Sequence, residues 1–417
     1  MEEKAFGLWR MFSEQPGLWP GWDHTQTPLA FHDSEQAVLF GHPHPPAEFV
    51  EKERDGITYH LARPKPPSFT ANSAVIVNEV FTATVMWHEM DDEAGLGLVT
   101  HEAFHAWQMA TGCPFGNMAV AMQYPVNNAE IQALAELEAS LLLEAIRQDS
   151  RELALAAIDA RAARQALLST DVAAYEDAVE LSEGLATYIE IKTAGPGSRL
   201  WNNKLEVLHR LNKNAWGADR LRFYYSGMAW GLLCDRYAPG WQRAGWRPAA
   251  ELVAAALQHA PDPGRRDFPG HDFSALLERH QRETEQRREA IQAQLAQALP
   301  GSGVRVELVT RGNPVGAAWN PLTAVSFPGE GRFHPTALLY IYDSGARLEV
   351  KANCLEKEFL RRFLFERDDL DIRLDGQPLR HGLAQGCLEI VSSDASVYVP
   401  QARVRFAGRE LIAEEVI

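Results

Sequence analysis

His101-Glu102-Ala103-Phe104-His105 brings two imidazoles and a carboxylate into five consecutive positions. On a helix, residues four apart lie one turn apart on the same face, so both histidines reach a single ion. Neutral imidazole suits zinc, and the intervening glutamate stands beside a water on that metal. Zinc lowers the pKa of such a water until a carboxylate can take its proton near neutrality. The flanking sequence reads as a helix. Leu96, Val99, Ala103, Ala106 and Ala110 follow at three- and four-residue steps, Gly112 stands where a helix-ending glycine belongs, and Pro114 lies beyond it. Two histidines and a glutamate on a buried helical face are costly unless they bind something. The competing explanation is a half-exposed helix whose histidines are satisfied locally.

A catalytic zinc commonly takes three protein ligands and leaves one position for water. Residues 180–190, Glu-Leu-Ser-Glu-Gly-Leu-Ala-Thr-Tyr-Ile-Glu, carry a second helical pattern opened by Glu183-Gly184, and Glu183 is the natural third ligand. The pair HEAFHAW and EGLATYIE resembles the gluzincin metallopeptidases, especially their thermolysin-like and aminopeptidase branches, in which HExxHxW is followed by EGxxxYxE. Trp107 fits the first pattern; Glu183, Gly184, Tyr188 and Glu190 fit the second. The resemblance implies a zincin-like core, Zn2+ held by His101, His105 and Glu183, a zinc-bound water activated by Glu102, and a peptide or protein substrate. It covers two short blocks of a 417-residue chain.

A third block, Arg222 to Leu232, is similar to the place where gluzincin aminopeptidases begin a helix with Tyr-x-x-Gly, and Tyr224 with Gly227 has that spacing. The match implies that Tyr224 donates to the tetrahedral oxyanion, where a neutral phenol gains most. Tyr225 is the reserve candidate, and core packing of both tyrosines is the alternative. Glu190 and Glu180 are expected to orient a ligand histidine through its other nitrogen.

The chain departs from that family in two places. From His105 to Glu183 is 78 positions, far more than in the aminopeptidases. Asn128 to Tyr175, rich in Ala, Leu and Glu, predicts one or two long helices that leave the site and return. Glu130, Glu136, Glu138 and Glu144 are read as a solvated acidic face rather than as ligands. The Gly-x-Met-Glu-Asn block that holds a substrate amino group in those aminopeptidases is missing. Residues 73–87 read instead as strand, able to align an extended peptide along a sheet edge.

The fold class expected is α+β, in three regions. Residues 1–93 form a β-rich N-terminal lobe, with strand-like runs at Thr27–Phe31, Gln36–Phe40, Ile57–Leu61 and Ser73–Trp87. Residues 94–299 are the helical catalytic region, ending in a charged amphipathic helix over Phe273–Leu299, and 300–417 form a β-rich accessory domain. His24, His32, His42, His44, His60 and His88 are taken as loop and strand histidines rather than a second metal site.

Composition narrows the partners. A formal net charge of −16 argues against nucleic acid. No apolar run is long enough for a membrane span. Four scattered cysteines without a CxxC pair fit free thiols in a reducing compartment, and the first residues show no signal-peptide pattern, so a cytoplasmic location is expected. Two rival functions stay open. Glu102–His105 and Glu206–His209 repeat the Glu-x-x-His spacing of di-iron carboxylate bundles. Alternatively, a peptidase fold can serve as a binding or regulatory module without turnover.

Overall fold

The computed structural model describes all residues except 89–90, 122–123, 126, 214–217, 320–323, 328–330 and 417, and leaves undescribed the side chains at 118–119, 209, 211–213, 218–219, 291 and 297–298. It is an α+β chain of two compact units: Met1–Asn117, Leu134–Asn214 and Arg220–Phe273 in one, and Met118–Ala133, Ala215–Asp219 and Ser274–Ile417 in the other. Residues 1–93, read as an N-terminal lobe, fall within the first unit, where their sheet packs on the helix that follows.

The first unit begins with an unforeseen helix, α1 (Glu2–Ser13), and a six-stranded sheet. Its strands are β1 (Leu29–His32), β2 (Ala37–Phe40), β3 (Val50–Arg54), β4 (Ile57–Ala62), β5 (Ser73–Val77) and β6 (Val80–Met86), in the order β3-β4-β2-β1-β6-β5. The run at 73–87 is thus a hairpin. Asn78 and Glu79 form its two-residue turn with φ of 40° and 68°, the left-handed geometry that tight hairpins require. Every residue of β1 and β2 is buried. One face of the sheet closes over Ala30, Leu39, Phe49, Phe69 and Val77. On the other, Trp9 of α1 stacks on Phe40 at 5.2 Å between ring centroids. All five residues of β3, Val-Glu-Lys-Glu-Arg, are exposed, and that charged edge discourages further strand pairing. The opposite edge is β5.

Helix α2 (Asp92–Ala110) carries the HExxH residues and packs on β5 and β6. The Asp91 carboxylate accepts from the Ala94 amide at 2.9 Å and caps its start. Its end is the predicted one, with Gly112 at φ 72°. Trp107 anchors the back of α2 among Trp19, Trp22, Phe104 and Trp246, with centroids 5.2–6.3 Å away.

The long insertion is three helices rather than one or two. After the short α3 (Met118–Ala121) come α4 (Ala129–Gln148), α5 (Arg151–Gln165) and α6 (Thr170–Val179). A π-helical segment, Glu180–Gly184, joins α6 without a break to α7 (Leu185–Ala194). Glu183-Gly184 therefore lies inside a continuous helical run, not at the start of a helix. Then follow α8 (Arg199–Lys213), α9 (Ala218–Tyr237) and α10 (Ala249–Ala256). Tyr224 likewise sits within α9 rather than opening it.

The second unit contains most of α11 (Phe273–Ala298), close to the predicted amphipathic helix, and thirteen described strands between Val304 and Glu415. Tyr340, Leu348, Phe363, Phe365, Leu388 and Ile390 are among the residues of its core. Among the described residues no helix is long and apolar enough to cross a membrane, and all four cysteines are free.

Phe40 is fully buried between α1 and the sheet. Phe40→Ala is expected to lower the unfolding free energy by about 3–5 kcal/mol, measured by denaturant titration.

Candidate metal centre

Hydrogen bonds behind the two histidines fix which ring nitrogen faces forward. Gln108 Nε2 donates to the carbonyls of Leu181 and Ser182, both at 2.9 Å, which sets the orientation of its amide. Its Oε1, 2.7 Å from His105 Nδ1, must then accept the ring N–H. His101 Nδ1 donates in the same way to Glu190 Oε2 at 3.2 Å, and Lys204 Nζ, 2.7 Å from Glu190 Oε1, holds that carboxylate. Both Nε2 atoms are left with lone pairs pointing forward.

Those lone pairs converge. The two Nε2 atoms are 3.1 Å apart, and Glu183 Oε2 is 3.1 Å from that of His105 and 3.7 Å from that of His101. With both rings neutral and their protons committed behind, these three acceptors have no hydrogen to share, which is unfavourable in a buried site unless a cation, a metal ion or an added proton, lies between them. Tetrahedral bonds of about 2.0–2.1 Å place ligand atoms about 3.3 Å from one another, so the spacing fits one zinc-sized ion. Among the described residues, His101, His105 and Glu183 are the group of His, Cys, Asp and Glu able to hold a metal.

The electrostatics agree with the geometry. Burial opposes a charge on His101, but hydrogen bonds to Glu183 and Glu190 and the charge of Glu102 outweigh it and carry its pKa up to about 10. Burial opposes ionisation of Glu183 too, yet its contacts with His101 and His105 hold it well below the usual carboxylate range. In the absence of another cation, His101 and Glu183 thus favour the charged imidazolium–carboxylate pair. Glu102 is different. Burial raises its pKa, and its buried Oε2 has no hydrogen-bond partner among the described residues. It is a carboxylate poised for a proton beside the three convergent atoms.

Close helix packing brings α9 to the site. A Cβ on Gly184 would lie 2.6 Å from the Gly227 Cα, and one on Gly227 would lie 2.7 Å from the Glu180 carbonyl oxygen. Only glycines permit that approach. It sets the Tyr224 ring 6.3 Å from that of His101 at 17°. Burial and the Glu183 charge raise the phenol's pKa, so Tyr224 stays a neutral donor. Tyr225 lies instead beside Lys204, whose Nζ is 5.9 Å from its ring centroid.

Of the sequence-predicted residues, the structure brings together His101, Glu102, His105, Glu183, Glu190 and Tyr224. Glu180 is a correction. It accepts from Arg161 at 2.9 Å and Ser226 at 2.5 Å and touches neither histidine. The supposedly solvated acidic face is another. Glu136 and Glu138 are buried, and Glu138 receives the Arg164 fork at 3.0 and 2.7 Å. Glu206 pairs with Arg147 at 3.4 Å, both about half-exposed, and the His209 side chain lies outside the described residues. Sequence reasoning missed Gln108, Lys204 and Arg220, whose Nη2 is 2.7 Å from Glu183 Oε1. Gln108 carried a signal, standing three residues after His105 on the same helical face; the other two carried none.

No protein-family model matches this chain, and neither a curated protein nor a solved structure matches it.

A pH dependence follows for the metal-free protein. The folded pKa of His101 is raised from 6.5 to about 10, so its contribution to stability is complete below 6.5 and is lost as pH rises through about 10. Thermal unfolding of chelator-treated protein should show the midpoint falling across that window more steeply than in His101→Gln. Equal slopes would mean that the buried proton is not shared.

Proposed function

We propose that this protein is a zinc-dependent metallopeptidase of the gluzincin kind, with a zincin-like catalytic core in its first unit. The observation that carries this reading is the convergence of three buried lone-pair atoms at 3.1–3.7 Å, with each histidine's rear nitrogen already held. Zinc bound by His101, His105 and Glu183 would supply Lewis acidity, polarising a peptide carbonyl and acidifying the attacking water.

The remaining steps belong to the chain. Glu102 takes a proton from the attacking water and delivers it to the leaving amine. Its raised pKa suits the uptake of that proton, since a more basic carboxylate takes it more readily. Tyr224 donates its hydroxyl to the oxygen on which negative charge develops. Glu190 and Gln108 keep the histidines in one tautomer and one orientation through the cycle. Edge strand β5, on which α2 packs, has an unpaired ladder for an extended peptide, with Ile76 exposed upon it.

The di-iron alternative would need Glu206 in the interior, whereas it lies at the surface beside Arg147. A peptidase fold without turnover would share the same metal site, so peptide cleavage is the discriminating test. Incubation with a mixed peptide library, followed by mass spectrometry, should yield products that a chelator suppresses and zinc restores. A metal-loaded protein that cleaves nothing would favour a binding module.

Variants divide the roles. His101→Ala and His105→Ala should lose the single zinc measured by elemental analysis, while Glu102→Gln should keep it and lose about 10²–10⁴-fold in turnover. Loss of zinc by Glu102→Gln would overturn that division. Tyr224→Phe should retain zinc and lose about a hundredfold in kcat, about 3 kcal/mol, with Tyr225→Phe near neutral. Equal, small effects of both changes would return the tyrosines to packing.

A further inference from the structure

Beside the metal centre lies a second set of charges that the proposed chemistry does not use. Arg161 extends a fork to Glu180, with Nη1 2.9 Å from Oε1 and Nη2 2.8 Å from Oε2. The same guanidinium reaches Glu138 at 3.2 Å and Asp177 at 2.7 Å. Arg164 grips Glu138 and pairs with Glu176, which Arg222 also meets at 3.2 Å. Trp230 Nε1 donates to Glu138 at 3.2 Å, and Ser226 Oγ donates to Glu180 at 2.5 Å. Apart from Asp177, these residues are buried. The cluster ties α4, α5, α6 and α9 to the π-helical segment.

Burying so many charges is a poor way to gain stability, since hydrophobic residues of similar volume often do as well or better. What such a cluster supplies is a fixed geometry, and its placement shows what is fixed. Glu180 opens the segment that carries Glu183, three residues before the ligand. The Gly184–Gly227 contact seats α9 on that same turn. Ser226, which holds Glu180, is two residues from Tyr224 on α9. Glu180 thus joins the turn that carries Glu183 both to the insertion and to the tyrosine helix. A π-helical turn carries poorer hydrogen-bond geometry than an α-helix and persists where its surroundings hold it, frequently at functional sites.

We propose that Glu180, held by Arg161 and Ser226, is a positioning residue that sets the Glu183 carboxylate against His101 and His105. The insertion of α4–α6 is then the brace of the metal centre rather than an excursion from it. This rests on the metal reading above. Glu180 touches no ligand histidine and acts only through the backbone turn it shares with Glu183.

The test compares full-length variants for zinc affinity, by competition with a chromophoric chelator, and for the visible d–d spectrum of the cobalt-substituted protein. Glu180→Ala leaves Arg161 with Glu138 and Asp177, so no cation is orphaned. It should weaken zinc binding about tenfold or more and shift the cobalt bands. Glu180→Gln, which can still accept from Ser226 and Arg161, should recover most of the affinity. Asp159→Ala is the control for stability alone. It removes a buried anchor of His259 and Arg265 and should lower the melting temperature with unchanged zinc affinity and spectrum. If Glu180→Ala does not fold, Ser226→Ala replaces it under the same criteria. A variant that melts lower but binds zinc and shows cobalt bands like the unmodified protein would overturn the proposal. Failure of the metal reading looks different: unmodified protein and His101→Ala would then take up zinc alike or not at all.

Discussion

Three acceptor atoms pressed together in a buried pocket set the terms for the first unit. While both rings are neutral, His101 Nε2, His105 Nε2 and Glu183 Oε2 have no hydrogen to share, because Glu190 and Gln108 have taken the protons behind the rings. Such an arrangement is unfavourable without a cation. Much of the unit can be understood as what keeps these atoms facing one another. The sheet supports α2, the tryptophans around Trp107 fix its back, and the Gly184–Gly227 contact brings Glu183 and Tyr224 to its front.

Supporting such a pocket calls for rigidity, and this chain uses polar interactions to provide it. Gln108 links the HExxH helix to the π-helical turn through two backbone carbonyls, so one side chain orients a histidine and anchors the segment carrying the carboxylate. Lys204 does comparable work behind Glu190, and Arg220 occupies the Glu183 oxygen that faces away from the histidines. Each of these contacts is charge-assisted or made in a buried setting where competing water is scarce, which strengthens it. With one Glu183 oxygen committed to Arg220, the other faces the histidines.

Local patterns in the sequence were legible where neighbouring residues determine the structure. Helix α2, its glycine stop, the amphipathic α11 and the change to strands after residue 300 followed from periodicity and turn residues alone. Of the residues brought together at the site, His101, Glu102 and His105 stand out by their spacing, whereas Glu183, Glu190 and Tyr224 were picked out by the resemblance of their blocks to the gluzincin pattern. What escaped depended on distant partners. Glu138 is buried only because Arg161 and Arg164, more than twenty residues onward, meet it, and a lone glutamate on an Ala/Leu helix carries no sign of that. Glu180 sits three residues before Glu183 in the π-helical segment, yet it meets Arg161 instead of the histidines. Glu51 and Glu53 beside Lys52 hid β3, because an edge strand needs no apolar alternation. Helix α1 was missed for a related reason: its buried face, Ala5, Phe6, Leu8 and Phe12, is short and stands among Trp- and Pro-rich sequence that reads as irregular.

The central claim is that one metal ion belongs among these three atoms, and anomalous diffraction at the zinc absorption edge tests it directly. The expected result is a single strong peak bonded to His101 Nε2, His105 Nε2 and a Glu183 oxygen at about 2.0–2.2 Å, with Glu102 close by but not bonded to it. A peak at other residues, a pair of metal peaks, or no peak in active, zinc-equilibrated protein would contradict it.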